Sequence, residues 1–183
     1  MRLGVWSGLL TVLAGFWLIV LIGLPLYVFP PVDSLEKSDA VFVLGPPMDA
    51  RLALAERLRD EGLADRIVIS VQASHGQTAK DIALCQEDGV TCEVADPSTT
   101  RGEELLMAEQ GSGAEAPSVI IVTTAPHVAR TRYIFGKCYP GRFSVVAAER
   151  PMTLEAWTSQ YVYQSVAFLK ALIEPCPEVA GGP

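Results

Sequence analysis

Residues 3–29 carry no Asp, Glu, Lys, Arg or His, and Leu, Val, Ile, Trp and Phe dominate them. About 20 apolar residues in helical form reach across a bilayer, because inside hydrocarbon every backbone N–H and C=O must be satisfied within the segment. This stretch therefore reads as one membrane-crossing helix, with Trp6, Trp17 and Tyr27 as aromatic residues suited to it. A buried core helix and a cleaved signal peptide are the competing readings. The exit sequence PLYVFPP (25–31) lacks the small-residue spacing of a cleavage site, and no cysteine precedes Cys85 to accept a lipid.

Flanking charge gives a direction. Arg2 and the α-amino group precede the helix, while Asp33, Glu36 and Asp39 against Lys37 follow it. By the positive-inside rule the N-terminus is expected in the cytoplasm and the rest of the chain outside. Cysteine usage points the same way. Cys85, Cys92, Cys138 and Cys176 are an even set with no C-x-x-C spacing, which is a disulfide pattern of an oxidising compartment rather than a zinc site. Four cysteines allow three pairings. The expected one joins Cys85 to Cys92 across a short loop and Cys138 to Cys176 across the C-terminal tail, with four reduced, buried thiols as the alternative.

The 183 residues have room for an anchor and one domain, and the division expected is residues 1–32 as anchor, 33–174 as domain and 175–183 as tail. A net charge of −7 argues against a counterion-displacing face for nucleic acid. Beyond the linker (30–38), the run DAVFVLG (39–45) has the length and composition of a buried parallel strand. DARLALAERLRDE (49–61) is helical in spacing and stops at Gly62, and RIVISV (66–71) is a second strand. A weaker helix is expected over 79–87, then a strand at 90–94, a helix opening at 99–104, and the strongest strand at 118–123. Residues 127–138 form the next helix, entered through Pro126, and 142–147 the last strand. Leu154, Trp157, Tyr161, Ser165, Phe168 and Leu172 recur at helical spacing over a long C-terminal helix.

Strands alternating with helices require right-handed crossovers, so the fold class expected is a Rossmann-like α/β/α sandwich with a mostly parallel sheet behind one transmembrane helix. Ligands in such sheets bind at the carboxyl ends of the strands, here the loops after Leu44, Ser70, Val94, Thr123 and Ala147. TAPHVARTR (124–132) follows the strongest strand. There the helix N-terminus attracts anions, and His127 with Arg130 one turn on can donate to a phosphate or carboxylate. The bland alternative is a capping Thr124, a surface His127 and solvated arginines. PSTTRGEE (97–104) matches the T-x-x-E capping box at Thr100 and Glu103, which leaves Arg101 and Glu104 unexplained. Arg101 opposes the helix dipole in a first turn, which suits placement for a ligand or for an acidic partner. Arg51 opposes it too, and its alternative is an ion pair with Asp49 or Glu56. The loop 72–78 adds His75 as the lowest-ranked candidate. G-x-G-x-x-G, the P-loop motif and G-x-S-x-G are all missing, and nothing calls for a metal or a resident cofactor.

Taken together, SDAVFVLG (38–45), Arg51 within RLALAERL (51–58), TTRGEE (99–104) and VTTAPHVARTR (122–132) resemble the YdcF-like family over residues 38–170. Three departures stand out: Gly45-Pro-Pro and Ser70-Val-Gln occupy loops that are Gly-rich in many members, and the usual Thr-x-Glu step reads Thr100-Arg-Gly102, with the acid displaced to Glu103. The resemblance implies a Rossmann-like domain, often anchored in the inner membrane and linked with envelope integrity, peptidoglycan precursors or polyprenyl-phosphate carriers. It places Arg51, Thr100, Glu103, His127 and Arg130 on family motif positions. The leading expectation is an envelope-maintenance protein whose outer domain binds or processes an anionic group, such as the phosphate of a lipid-linked sugar. Arg51, Thr100, Arg101, Thr123 and Arg130 are the expected ligand-binding residues, and His127 or Glu103 would handle any proton. A nucleotide or S-adenosylmethionine binding module and a non-catalytic envelope scaffold are the other readings.

Overall fold

The computed structural model describes residues 2–73, 77–111 and 116–176, with side chains from residue 8 onward. His75, the Gly-rich turn after residue 111 and the tail beyond Cys176 lie outside the described residues. Five strands, β1 (Ala40–Val43), β2 (Ile67–Val71), β3 (Val90–Val94), β4 (Val119–Thr124) and β5 (Phe143–Ala148), form one sheet. Its order is β3-β2-β1-β4-β5, and every neighbouring pair is parallel. The apolar runs read from the sequence thus become strands that are buried on both faces, as parallel strands must be.

Helix α2 (Asp49–Asp60) covers one face, where Leu54, Ala55 and Leu58 pack on Val41, Val43, Ile67, Ile69, Ile120 and Val122. Helices α3 (Thr100–Glu109) and α4 (Ala125–Cys138) cover the other, where Met107, Val128 and Phe135 meet Phe42, Leu44, Val68 and Ile121. The expected helix at 79–87 is reduced to a single 3-10 turn, Ala83–Gln86. Local bonds compete with helix there: Asp81 accepts from both the N–H and the hydroxyl of Thr78, and the Gln86 amide donates to Ala79 O. Cys85 is bonded to Cys92 on β3, and Cys138 at the end of α4 to Cys176, the expected pairing.

Helix α1 (Arg2–Gly23) runs into a π-helical turn (Leu24–Val28). Residues Gly8–Val28 have a mean hydropathy of 2.5 and few of them are buried, so the segment is long and apolar enough to cross a membrane. Its far end is fixed to the domain. Tyr27 is buried, with its hydroxyl 3.1 Å from Ser165 Oγ. Arg132 donates to Asp33 Oδ1 at 2.8 Å and to Pro31 O, and Asp33 Oδ2 accepts from Val145 N–H at 2.8 Å. The linker is therefore a docked segment, not a tether.

The long helix α5 (Leu154–Ile173) does not rejoin the sheet. It packs outside α4, Phe168 against Tyr133, and against the anchor, Tyr161 against Tyr27, so only Gln164 and Ala171 are fully buried. The expected apolar face is present through Tyr161, Ser165 and Phe168, whereas Leu154 and Leu172 at its ends are exposed.

Candidate functional site

In a 3-2-1-4-5 sheet the chain reverses its winding direction between β1 and β4, and a crevice opens at the carboxyl ends of those two strands. Here the crevice is a cleft of about 960 Å³, floored by the loops after β1 and β2, walled by the starts of α3 and α4, and closed on the far side by α5. Arg51, Thr100, Arg101, Glu103, His127 and Arg130 all line it, although they come from three helices. Thr123 lies beneath them at the end of β4 and reaches the cleft only through His127.

Helix α3 begins one residue earlier in its capping pattern than the motif implied. Thr99 is the N-cap, and its hydroxyl accepts from Gly102 N–H at 3.3 Å. The T-x-x-E box at Thr100 and Glu103 is therefore not formed. Freed from capping, Glu103 reaches across to β1 and accepts from Gly45 N–H at 2.5 Å. Gly45 allows that approach: a Cβ there would sit 3.2 Å from both Glu103 Oε1 and Ser70 O. Burial raises the Glu103 carboxyl to about 7, against the Gly45 and Ser70 hydrogen bonds and the charges of Arg51 and Arg130, which all favour the ionised form. A carboxyl poised near neutrality inside a cleft can both give and take a proton.

Arg51 is buried, and no ion pair with Asp49 or Glu56 is seen. Its Nη1 donates to Leu44 O at 2.6 Å, Gly45 O at 3.0 Å and Pro46 O at 3.2 Å, and Nη2 to Thr124 Oγ1 at 3.3 Å. Thr124 thus binds Arg51 instead of capping α4. The Arg51 Nε is buried with no acceptor among the described residues. Burial lowers the guanidinium to about 10, which leaves it charged at neutral pH. Arg130 donates from Nε to Gln164 Oε1 at 3.0 Å and lies over the Tyr163 ring at 5.8 Å, so α5 orients it.

His127 is not a surface residue. It is buried between two hydroxyls, with Nδ1 2.9 Å from Thr123 Oγ1 and Nε2 3.2 Å from Thr100 Oγ1. Burial, helped by Arg130 and Arg51, pushes the imidazole well below its ordinary 6.5. A neutral ring held on both nitrogens ties the start of α3 to the end of β4, while Glu103 is the cleft carboxyl whose titration lies near neutrality. Arg101 lines the cleft and meets an acidic partner, the second of its expected placements. Its guanidinium donates to Ala171 O and Glu174 O and pairs with the Glu174 carboxylate at 3.4 Å, tying α3 to the end of α5. Beneath it Glu104 is buried, and its carboxyl is raised to about 7 by burial.

Arg150 and Lys170 join the cleft unforeseen. Arg150 follows β5 and could have been found by the strand-end rule. Lys170, Gln164 and Tyr163 could not, because no sequence pattern says that α5 turns away from the sheet to wall the cleft. Among the described residues no cluster of three or more His, Cys, Asp or Glu side chains could hold a metal ion.

Titration tests this arrangement. In the unfolded chain Glu103 titrates near 4.5 and in the fold near 7, so the folded state holds the proton more tightly. Stability from this group is full below about 4.5 and lost as pH rises through about 7, by about 3 kcal/mol in all. His127 acts in the opposite sense: the unfolded ring takes up a proton below about 6.5 that the buried ring refuses, so stability rises as pH climbs to that point. The wild-type profile is a difference of the two. Glu103→Gln keeps an acceptor for Gly45 N–H and is expected to remove the decline between about pH 4.5 and 7 that belongs to Glu103, so that the variant's stability climbs more steeply than wild type over that range. Urea midpoints at pH 5 to 8 check this, and identical slopes for the two proteins would refute it.

No family model, curated protein or solved structure matches the chain, so its functional reading rests on the cleft and the membrane-length helix themselves.

Proposed function

We propose that this chain is a membrane-anchored protein of cell-envelope maintenance, of the YdcF-like kind, with its N-terminus in the cytoplasm and its α/β domain outside. The cleft binds the phosphorylated head of a lipid-linked cell-wall precursor. One observation carries the ligand class: Arg51 and Arg130, from separate helices, converge with Glu103 in a cleft at the starts of α3 and α4. Helix N-termini and guanidinium forks both select for multi-oxygen anions. Arg150 and Lys170 add positive charge at the wall, although the chain as a whole is acidic.

Compartment and orientation are supported by Arg2 before the apolar helix and Asp33, Glu36 and Asp39 after it, and by two disulfides. At the bound group Glu103 would hold or release the reacting proton, and His127 would keep Thr100 and the start of α3 in place.

The test is calorimetry on the full chain in detergent with a short-chain polyprenyl phosphate and with inorganic pyrophosphate. Binding is expected for both, and Arg130→Ala is expected to weaken it by a factor of about 10 to 100, the loss of one charge-assisted contact. Arg142→Ala, an exposed arginine outside the cleft, serves as the control and should bind as wild type. An Arg130→Ala protein with unchanged affinity, or no heat with either probe, would sink the proposal.

A further inference from the structure

Helix α5 has an apolar side that nothing in the fold covers. Val162, Val166 and Leu169 are each 64% exposed and Ile173 83%. At 100° per residue these four fall within a narrow arc, opposite the buried Gln164 and Ala171. Exposed apolar surface of this kind marks a contact with something else. Towards the start of the helix the same side turns polar, with Glu155, Thr158 and Ser159. The apolar side is confined to residues 162–173.

That half of the helix begins where α5 meets the anchor. Gly23 lies so close to the Tyr161 ring that a Cβ at that position would overlap it. The Tyr161 hydroxyl reaches Val20 O at 3.5 Å, and Ser165 bonds Tyr27. Val20 and Gly23 both belong to the apolar segment Gly8–Val28, whose outer surface is itself exposed. The bare side of α5 therefore continues the bare surface of the anchor. Spanning is ruled out for α5, since its opposite side carries Gln164, which bonds Arg130, and Ala171, which packs into the domain.

We infer that α5 lies in the bilayer interface, with Val162, Val166, Leu169 and Ile173 seated among lipid chains and Tyr163 and Lys170 at headgroup level. Such seating is the behaviour of an amphipathic helix whose polar side is kept out of hydrocarbon. Val166 and Tyr163 also line the cleft, as does Lys170, so the cleft opens at the lipid surface and a lipid-borne ligand enters without leaving the membrane. The inference rests on the anchored reading of Gly8–Val28.

Spin labelling separates the two. All four described cysteines are in disulfides, so a single added thiol takes a nitroxide selectively. The full chain is placed in vesicles of phosphatidylethanolamine with phosphatidylglycerol as the minority lipid. Labels at Val166→Cys and Leu169→Cys are compared with one within the anchor, Leu18→Cys, and one on an exposed domain residue, Asp60→Cys. Collision with oxygen, which partitions into lipid, is measured against collision with a water-soluble nickel chelate. The oxygen-to-nickel ratio at 166 and 169 is expected to exceed that at 60 several-fold and to fall below that at 18, which lies midway along the anchor, because the ratio grows with depth in the bilayer. A ratio at 166 and 169 like that at 60, with 18 still in lipid, overturns the inference and leaves the anchor standing. A water-like ratio at 18 removes the anchor and the inference with it. Dry labels at 166 and 169 that show dipolar broadening, lost on dilution with unlabelled chain, would assign the surface to a second copy and also overturn the inference.

Discussion

Arg51→Met is expected to lower the unfolding free energy of the detergent-solubilised full chain by about 3 kcal/mol, among the larger effects a single cleft residue produces. The guanidinium is the common donor for Leu44 O, Gly45 O and Pro46 O, and it also holds Thr124. Removing it strands three carbonyls at the end of β1, each costing about 1 kcal/mol once water in the cleft has partly replaced the lost donor. A second effect adds to the first. Glu103 loses a positive neighbour and keeps its burial, so its carboxyl moves further above 7 and the penalty of ionising it at neutral pH grows. Methionine fills the volume and isolates the electrostatic loss from a packing defect. Arg51→Lys should recover about half, because an ammonium is a point donor and cannot span both the carbonyls and Thr124. Urea unfolding followed by far-UV circular dichroism measures both variants. A loss below about 1 kcal/mol for the methionine protein would show that the β1 loop holds itself.

Removing the disulfide between Cys138 and Cys176 by double alanine substitution is expected to cost about 4 kcal/mol, against about 2 kcal/mol for Cys85 with Cys92. A cross-link restricts the unfolded chain more as the closed loop lengthens, and the separations are 38 and 7 residues. The longer one also keeps Glu174 in reach of Arg101 and Lys137, so its loss loosens the end of α5 and the far wall of the cleft. Thermal unfolding with and without a reductant, on wild type and both double variants, resolves the two contributions. The same bridges bear on compartment: chain purified under alkylating conditions should carry no reactive thiol at these four positions. Four alkylated cysteines would place the domain in a reducing compartment and refute the outward orientation.

The fold was readable because its signals are local. Buried parallel strands announce themselves as short apolar runs, and DAVFVLG, RIVISV and SVIIVT became β1, β2 and β4 nearly to the residue. The region 79–87 misled because its composition is compatible with helix while Thr78 and Asp81 close a tighter turn. Within the cleft, the strand-end rule points to Arg51, His127 and Arg130, whereas Glu103 is reached through the T-x-x-E pattern and the family resemblance. What each side chain does there was not readable. The capping register at Thr99 decides whether Glu103 serves its own helix or the loop after β1, and two adjacent threonines look alike in sequence. Whether His127 sits at the surface or inside the site was not readable, because the hydroxyls that bind it, Thr123 and Thr100, only meet once α3 lies against β4. Which acidic residue Arg101 meets was not readable either, because the end of α5 has no signature of its own.

The bonds around Asp33 bear on how the cleft finds anything at all. A domain on a flexible leash explores a volume that grows with the length of the leash, and its local concentration at any one point falls accordingly. Here Arg132, Val145 N–H and Tyr27 remove that freedom and leave a single pose relative to the anchor. Under the anchored, lipid-binding reading proposed above, the search becomes two-dimensional and encounter is governed by lateral diffusion in the membrane plane. Molecules presented at a different height would then be met less often. Lengthening the linker at Val32 would trade this selectivity by height for reach.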